Sequence, residues 1–91
     1  MKRELLKILV CPIDKTYPLK LIELEDKLDN IIEGILYCNK CKRYYPIIEE
    51  IPIMLPDKLR NEKLEIKFLD KWKNKLPENI LHHSNPFKVN S

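Results

Sequence analysis

Three cysteines and one aspartate hold the chemistry that this sequence offers. Cys11-Pro-Ile-Asp14 is followed, after a gap of hairpin length, by Cys38-Asn-Lys-Cys41. Two residues between ligands let a chain turn back so that both side chains reach one ion, and a hairpin would bring the second pair opposite the first. That is the spacing of a zinc ribbon, in which four ligands surround a tetrahedral ion. The first pair ends in aspartate, and zinc accepts carboxylate oxygen at about 2.0–2.2 Å. Cys11, Asp14, Cys38 and Cys41 are therefore the expected ligands of one structural zinc per chain, with His82, His83 or a water as the alternatives to Asp14. A closed shell of four leaves no open position for a reacting water, so such an ion would hold the fold rather than catalyse. A plainer reading treats the cysteines as small buried apolar groups, with Asp14 opening a turn. A redox reading of Cys38 and Cys41 lacks the helix N-terminus that would lower a thiol pKa. An odd count of three cysteines fits metal ligation or free thiols better than a disulfide framework.

No other residue set suggests catalysis. The chain has one glycine, no glycine-rich phosphate loop, and no serine, histidine and carboxylate in a workable relation. His82 and His83 sit together near the C-terminus and read as solvated side chains. The carboxylates are scattered among lysines, as on an ordinary solvated surface. An enzyme is not expected.

The elements that must position the cysteines indicate an α+β fold: an antiparallel sheet of about four strands in a zinc-ribbon-like arrangement, with a short N-terminal helix and a longer C-terminal one. Leu5, Leu6, Leu9 and Val10 give Lys2 to Val10 the pattern of a short amphipathic helix, stopped at Pro12. Leu19, Ile22 and Leu24, then Ile31, Ile32, Ile35 and Tyr37, predict a hairpin with Asp29-Asn30 in or near its turn. Tyr44, Tyr45, Ile47 and Ile48 predict a third strand. Ile51 to Leu55 predicts a fourth, kept at an edge because Pro52 cannot donate to a ladder. Asp57 or Asn61 then caps a helix to about Lys75, on which Leu64, Phe68 and Trp72 recur at four-residue steps, with Leu69 and Leu76 alongside. Residues 1–76 are thus expected as a single domain and 77–91 as a tail.

Ninety-one residues leave a small interior, so a metal or a permanent partner is worth looking for in addition to apolar burial. No run is long enough to span a bilayer and the N-terminus lacks the regions of a signal peptide, which makes the cytoplasm the default and excludes a membrane partner. The formal charge of +3 is too small for a dedicated nucleic-acid binder. Its whole excess lies in residues 57–76, which carry seven basic and four acidic side chains. At the second cysteine pair Lys40, Lys42, Arg43, Tyr44 and Tyr45 mix positive charge with aromatic rings, so a zinc-ribbon nucleic-acid module is the alternative reading.

A protein partner is favoured by apolar density. Four short strands cannot absorb every Ile and Leu between 31 and 55, and a large exposed apolar patch marks an interface. An edge segment such as Ile51-Pro52-Ile53-Met54-Leu55 suits strand addition to a partner's sheet. Tyr45, Ile47, Ile51, Ile53 and Met54 are the expected partner surface. The alternative is that Ile51, Ile53 and Leu55 pack under the C-terminal helix.

Leu5-Leu6-Lys-Ile-Leu-Val-Cys-Pro, the Cys-x-x-Cys pair followed by Tyr45-Pro46-Ile47, and Ile51-Pro52-Ile53-Met54-Leu55 together resemble the small zinc-ribbon methyltransferase activator family over roughly residues 3–56. The resemblance implies a non-catalytic subunit. Such a subunit forms a heterodimer with S-adenosylmethionine-dependent class I methyltransferases acting on tRNA, rRNA or a translation termination factor, and stabilises and activates them. Asp14 departs from the cysteine common in the family's first pair. The gap between Asp14 and Cys38 is too short for the inserted helical domain of eukaryotic members, so the chain looks like a compact archaeal type. Short bacterial relatives generally lack a helical extension like residues 57–91. The basic segment 57–76 would then be placed to make an indirect tRNA contact.

Overall fold

The computed structural model describes residues 1–87 of the chain. Strands β1 (Lys20–Lys27), β2 (Asn30–Tyr37), β3 (Tyr44–Ile48) and β4 (Ile51–Pro52) follow one another in a fully antiparallel sheet of order β1-β2-β3-β4. The turns that set this register are short. Leu28, at φ 55°, reverses the chain between β1 and β2, and Glu49 and Glu50, at φ 49° and 69°, do so between β3 and β4. Two consecutive left-handed residues are what a two-residue hairpin turn matched to strand twist requires. The polar residues Glu25, Asp26 and Lys27 are themselves paired and extend β1 through two register shifts.

Alternation along β2 and β3 supplies two apolar faces rather than one. Ile35, Tyr37 and Tyr44 join Leu24, with Ile22 and Ile48 at the margin, on the first face. Leu36, Cys38, Tyr45 and Ile47 point to the second, where Ile31 joins them. Helices α1 (Glu62–Lys71) and α2 (Glu78–His83) cover the first face through Phe68, Leu69, Ile80 and Leu81, joined by Leu76 from the connection between them. The N-terminal segment covers the second with Met1, Leu6, Leu9, Cys11 and Leu19, helped by Met54. The sheet is thus the middle of three layers. Gly34 lets β1 approach β2, since a Cβ there would lie 2.8 Å from the Ile22 carbonyl oxygen.

Several expectations need correction. Residues Arg3–Lys7 form a 3-10 turn, not an α-helix. The chain just before it is fastened to β2, with the Met1 ammonium on the Ile31 carbonyl at 2.7 Å and the Arg3 amide on the Asp29 carbonyl at 3.2 Å. So short a stretch before Pro12 cannot offset the cost of starting an α-helix. The fourth strand ends at Pro52, although the Ile53 amide still reaches the Pro46 carbonyl at 2.9 Å. Asn61 caps α1 by accepting from the Leu64 amide at 3.1 Å, while Asp57 opens a separate 3-10 turn, Asp57–Leu59. The buried stripe of α1 is Glu65, Phe68 and Leu69, which leaves Leu64 46% exposed. The expected tail is folded over residues 78–83: Ile80 and Leu81 give α2 enough apolar surface to close the first face. Residues 88–91 lie outside the described part.

One buried ion pair fastens the helical layer to the sheet. The Arg60 guanidinium donates to both Glu65 carboxylate oxygens at 2.6 Å and to the Tyr44 carbonyl at 2.9 Å. It sits 5.3 and 5.2 Å from the ring centroids of Tyr44 and Tyr45. Both charged side chains are essentially without solvent contact. Removing one partner would strand the other charge in a dry environment. Arg60→Ala is therefore expected to lower the unfolding free energy by about 3–5 kcal/mol, measured by urea denaturation, and a loss below about 1 kcal/mol would show that Glu65 finds another partner or water.

Candidate metal centre and partner surface

The two halves of the cysteine constellation fold the same way. In the first, the Lys15 amide donates to the Cys11 carbonyl at 2.8 Å and the Cys11 amide to the Thr16 carbonyl at 3.1 Å. In the second, the Lys42 amide donates to the Cys38 carbonyl at 3.0 Å and the Cys38 amide to the Arg43 carbonyl at 2.9 Å. Each knuckle closes on a left-handed residue directly after its second candidate ligand, Lys15 at φ 63° and Lys42 at φ 62°. Asp14 therefore occupies, in the first knuckle, the place that Cys41 occupies in the second. The second knuckle is the connection between β2 and β3. The first is brought opposite it because Cys11 is buried against Cys38 and Tyr45 on the second face of the sheet.

Sequence spacing and geometry agree on the four residues. The ligand atoms of Cys11, Asp14, Cys38 and Cys41 all lie within 4.8 Å of one another. Cys11 Sγ is 3.7 Å from Cys41 Sγ, and Cys38 Sγ is 3.6 and 3.5 Å from the two oxygens of Asp14. Zinc bonds of about 2.3 Å to sulfur and about 2.1 Å to oxygen give tetrahedral edges of about 3.8 Å between sulfurs and about 3.6 Å between sulfur and oxygen. The donor set fits one tetrahedral ion. His82 and His83, the other candidates for the fourth position, lie on α2 and are not part of the cluster.

Local electrostatics suit a charged ligand at Asp14. Hydrogen bonds from Thr16, including its amide at 3.0 Å, hold the Asp14 carboxyl well below the usual carboxylate range. For Cys38, burial opposes ionisation, but the backbone amides of Cys41 and Lys40 outweigh it and bring the thiol down. Burial pushes the Cys41 thiol up to about 11. A bound cation would reverse that last effect, since thiolate is the ligating form.

Tyr45 belongs to this centre rather than to a partner surface. Its hydroxyl lies 3.2 Å from Cys11 Sγ in a buried contact, and burial raises its pKa, so the phenol keeps its proton and would donate it to a thiolate at Cys11. A hydrogen bond onto a ligating sulfur orients the ligand and tunes its charge. The signal in the sequence was an aromatic residue on the strand that follows the second knuckle, without its inward direction. Ile47 is likewise fully buried. Both were expected at the partner surface; the alternation of β3 turns them inward instead. Of that group Ile51 is 60% exposed and Ile53 and Met54 are half-buried, with Leu55 exposed beside them. The outer edge of β3 is sealed by this chain itself: Ile53 on the Pro46 carbonyl, Arg60 on that of Tyr44, and Asn85 on the Tyr44 amide. Strand addition is therefore confined to the 51–55 segment or to β1. Along β1, the two register shifts and the exposed Glu23, Glu25, Asp26 and Lys27 are features that discourage edge pairing.

The alternative nucleic-acid surface fares unevenly. Tyr44 and Tyr45 have no exposed ring to stack on, and Arg43 is held by Asp57 through two hydrogen bonds of 3.0 and 2.9 Å. In the basic segment Arg60, Lys71 and Lys73 are paired with Glu65, Glu33 and Asp70. Lys58, Lys63, Lys67 and Lys75 are exposed. No helix among the described residues is long and apolar enough to cross a membrane.

Comparison with known proteins matches residues 2–50 to the Trm112p-like protein family. A protein of Coxiella burnetii (strain CbuG_Q212) named UPF0434 protein is 43% identical over 60 residues, which span 66% of this chain and 91% of that protein. A protein of the same name from Dechloromonas aromatica (strain RCB) is also 43% identical over 60 residues, 88% of its length. Among solved structures, the Trm112 methyltransferase activator of Haloferax volcanii, determined in complex with a candidate methyltransferase, matches with a TM-score of 0.62 and 42% identity. The match covers all of that chain and 66% of this one. About a third of this chain thus has no counterpart in the Haloferax protein.

Proposed function

Because this chain belongs to the Trm112p-like family, we propose that it is a non-catalytic subunit that binds, stabilises and activates a methyltransferase. The observation that carries this reading is the match to the whole Haloferax activator, a protein solved together with a candidate methyltransferase. The partner is of the S-adenosylmethionine-dependent class I type, acting on tRNA, rRNA or a termination factor in the cytoplasm. A subunit that binds only the folded enzyme stabilises it by mass action, by an amount that grows with the logarithm of its concentration over Kd. The exposed lysines of the basic segment would lie beside the enzyme's substrate without any stacking contact of their own.

Zinc is the ion best matched to three thiolates and a carboxylate at these separations. Cys11, Asp14, Cys38 and Cys41 would hold it, and its chemistry would be purely structural. Elemental analysis of protein purified without added metal should give close to one zinc per chain, and a metal-free but fully folded chain would refute the assignment. Cys38→Ser should lose zinc more readily than Asp14→Ala, because water replaces a carboxylate more easily than a buried thiolate.

The docking surface is assigned to Ile51, Ile53 and Met54. Met54 contacts the apolar cluster of the second face, and Ile51 stands clear of the chain's own core. A carboxylate at Ile51 would have to shed its hydration on docking, at a cost of several kcal/mol and hence orders of magnitude in Kd. Ile51→Asp should release the methyltransferase that co-purifies with the parent chain from native extract and is identified by mass spectrometry. Circular dichroism and bound zinc should be retained. Undiminished co-purification of the variant would place the enzyme on another surface.

A further inference from the structure

The residue that closes the second knuckle is held from outside by the far end of the chain. Asn85 donates its amide to the Lys42 carbonyl at 2.7 Å and accepts from the Tyr44 amide at 2.9 Å, so that residue 85 pairs with Arg43 in a parallel bridge. Its side-chain Nδ2 donates to the Cys41 carbonyl at 3.3 Å. Cys41, Lys42 and Tyr44, the first a candidate ligand and the second left-handed, are thus all bonded to one strap. The strap is anchored just upstream. Ser84 is buried and its hydroxyl donates to the Ile80 carbonyl, and Ile80 and Leu81 are packed in the core under the sheet. On the other side of the same exit, Arg43 is gripped by Asp57. Residues 57 and 85 both lie beyond the span matched to the family.

We propose that Asn85 is a positioning residue for the metal centre: the C-terminal strap holds the second knuckle in its ligating conformation and slows loss of the ion. This inference rests on the metal centre proposed above. For Cys41 to leave a bound ion, the peptide units around it must rotate, and the rotation of Lys42 out of its left-handed conformation is opposed by the bond to Asn85. The strap gives no ligand and touches no substrate. Its effect is to keep Cys41 beside Cys11 and to restrict the fraying of the partly exposed knuckle.

The test is the rate at which zinc passes from the full chain to an excess of a chromogenic chelator, for the parent, Asn85→Ala, Asn85→Pro and the control Asn79→Ala on the exposed side of α2. Asn85→Ala, which removes the Nδ2 bond to Cys41 and leaves the backbone bonds of residue 85 in place, should speed release several-fold, in line with the loss of a side-chain hydrogen bond. Asn85→Pro also removes the amide bond to Lys42 and should speed it at least tenfold, while Asn79→Ala should match the parent. Cobalt(II)-loaded Asn85→Ala should show altered visible ligand-field bands, a change that general destabilisation of the helical layer would not produce. If Asn85→Pro fails to fold, the alanine variant decides the matter alone. Zinc bound by the parent but released at one common rate by all four chains would overturn the clamp and leave the metal centre standing. A parent that binds no zinc would overturn the centre and the clamp together.

Discussion

Strands β2 and β3 place side chains into both faces of one sheet, and a sheet cannot cover its own faces. Ile35, Tyr37 and Tyr44 need apolar partners on one side, and Leu36, Cys38, Tyr45 and Ile47 need them on the other. A 91-residue chain has two flanks with which to answer, and it uses both. The N-terminal flank lies over the second face and carries the first knuckle with it, so that Cys11 reaches Cys38. The C-terminal flank lies over the first face and has to cross the edge of β3 to get there. That crossing is where Arg60 meets the Tyr44 carbonyl, and it explains why an arginine and a glutamate are buried in so small a protein. Neither charge could be tolerated there alone; each is balanced by the other, and the guanidinium also donates to the Tyr44 carbonyl.

The same constraint separates what was legible in the sequence from what was not. Strands and their order could be read because period-two alternation and the prolines mark them directly. The four candidate ligands could be read because metal chemistry fixes their spacing. The direction of each apolar residue on β3 was not legible, since a residue that belongs to a strand buried on both faces looks the same as one facing a partner. Tyr45 and Ile47 were misplaced for that reason. The N-terminal turn was misjudged because its backbone bonds to β2 are non-local. The helix over 78–83 was missed because six residues with two adjacent apolar side chains show no period until the surface they cover is known.

The family match ends at residue 50, before either helix begins. The shared part therefore contains the three principal strands and both knuckles, while the layer over Ile35, Tyr37 and Tyr44 is contributed from outside it. This division bears on where a partner enzyme docks. The first face is filled by Phe68, Leu69, Leu76, Ile80 and Leu81 and fastened by Arg60, so a partner there would have to expel a packed layer. The segment from Ile51 to Leu55 lies at the sheet's end without such cover, next to the second face.

Asp14 is the candidate ligand that stands in the first knuckle where Cys41 stands in the second. A carboxylate carries the same single negative charge as a thiolate, so three thiolates and Asp14 present a dication with the same ligand charge as four thiolates. The carboxylate oxygen is a harder donor, bonds at a shorter distance, and is more readily replaced by water. Two features of this chain act against those losses. Thr16 holds the carboxylate in place and in its charged form, which removes any competition from a proton. The Tyr45 hydroxyl lies 3.2 Å from Cys11 Sγ, the other candidate ligand of the same knuckle, and would donate to a thiolate there, fixing the sulfur against the buried second face. The harder ligand thus occurs in a knuckle whose geometry is set by its own backbone, as the matching bonds of Lys15 and Lys42 show. The ion would be held by two knuckles of one shape, and the identity of a single donor would alter the strength of that hold far more than its form.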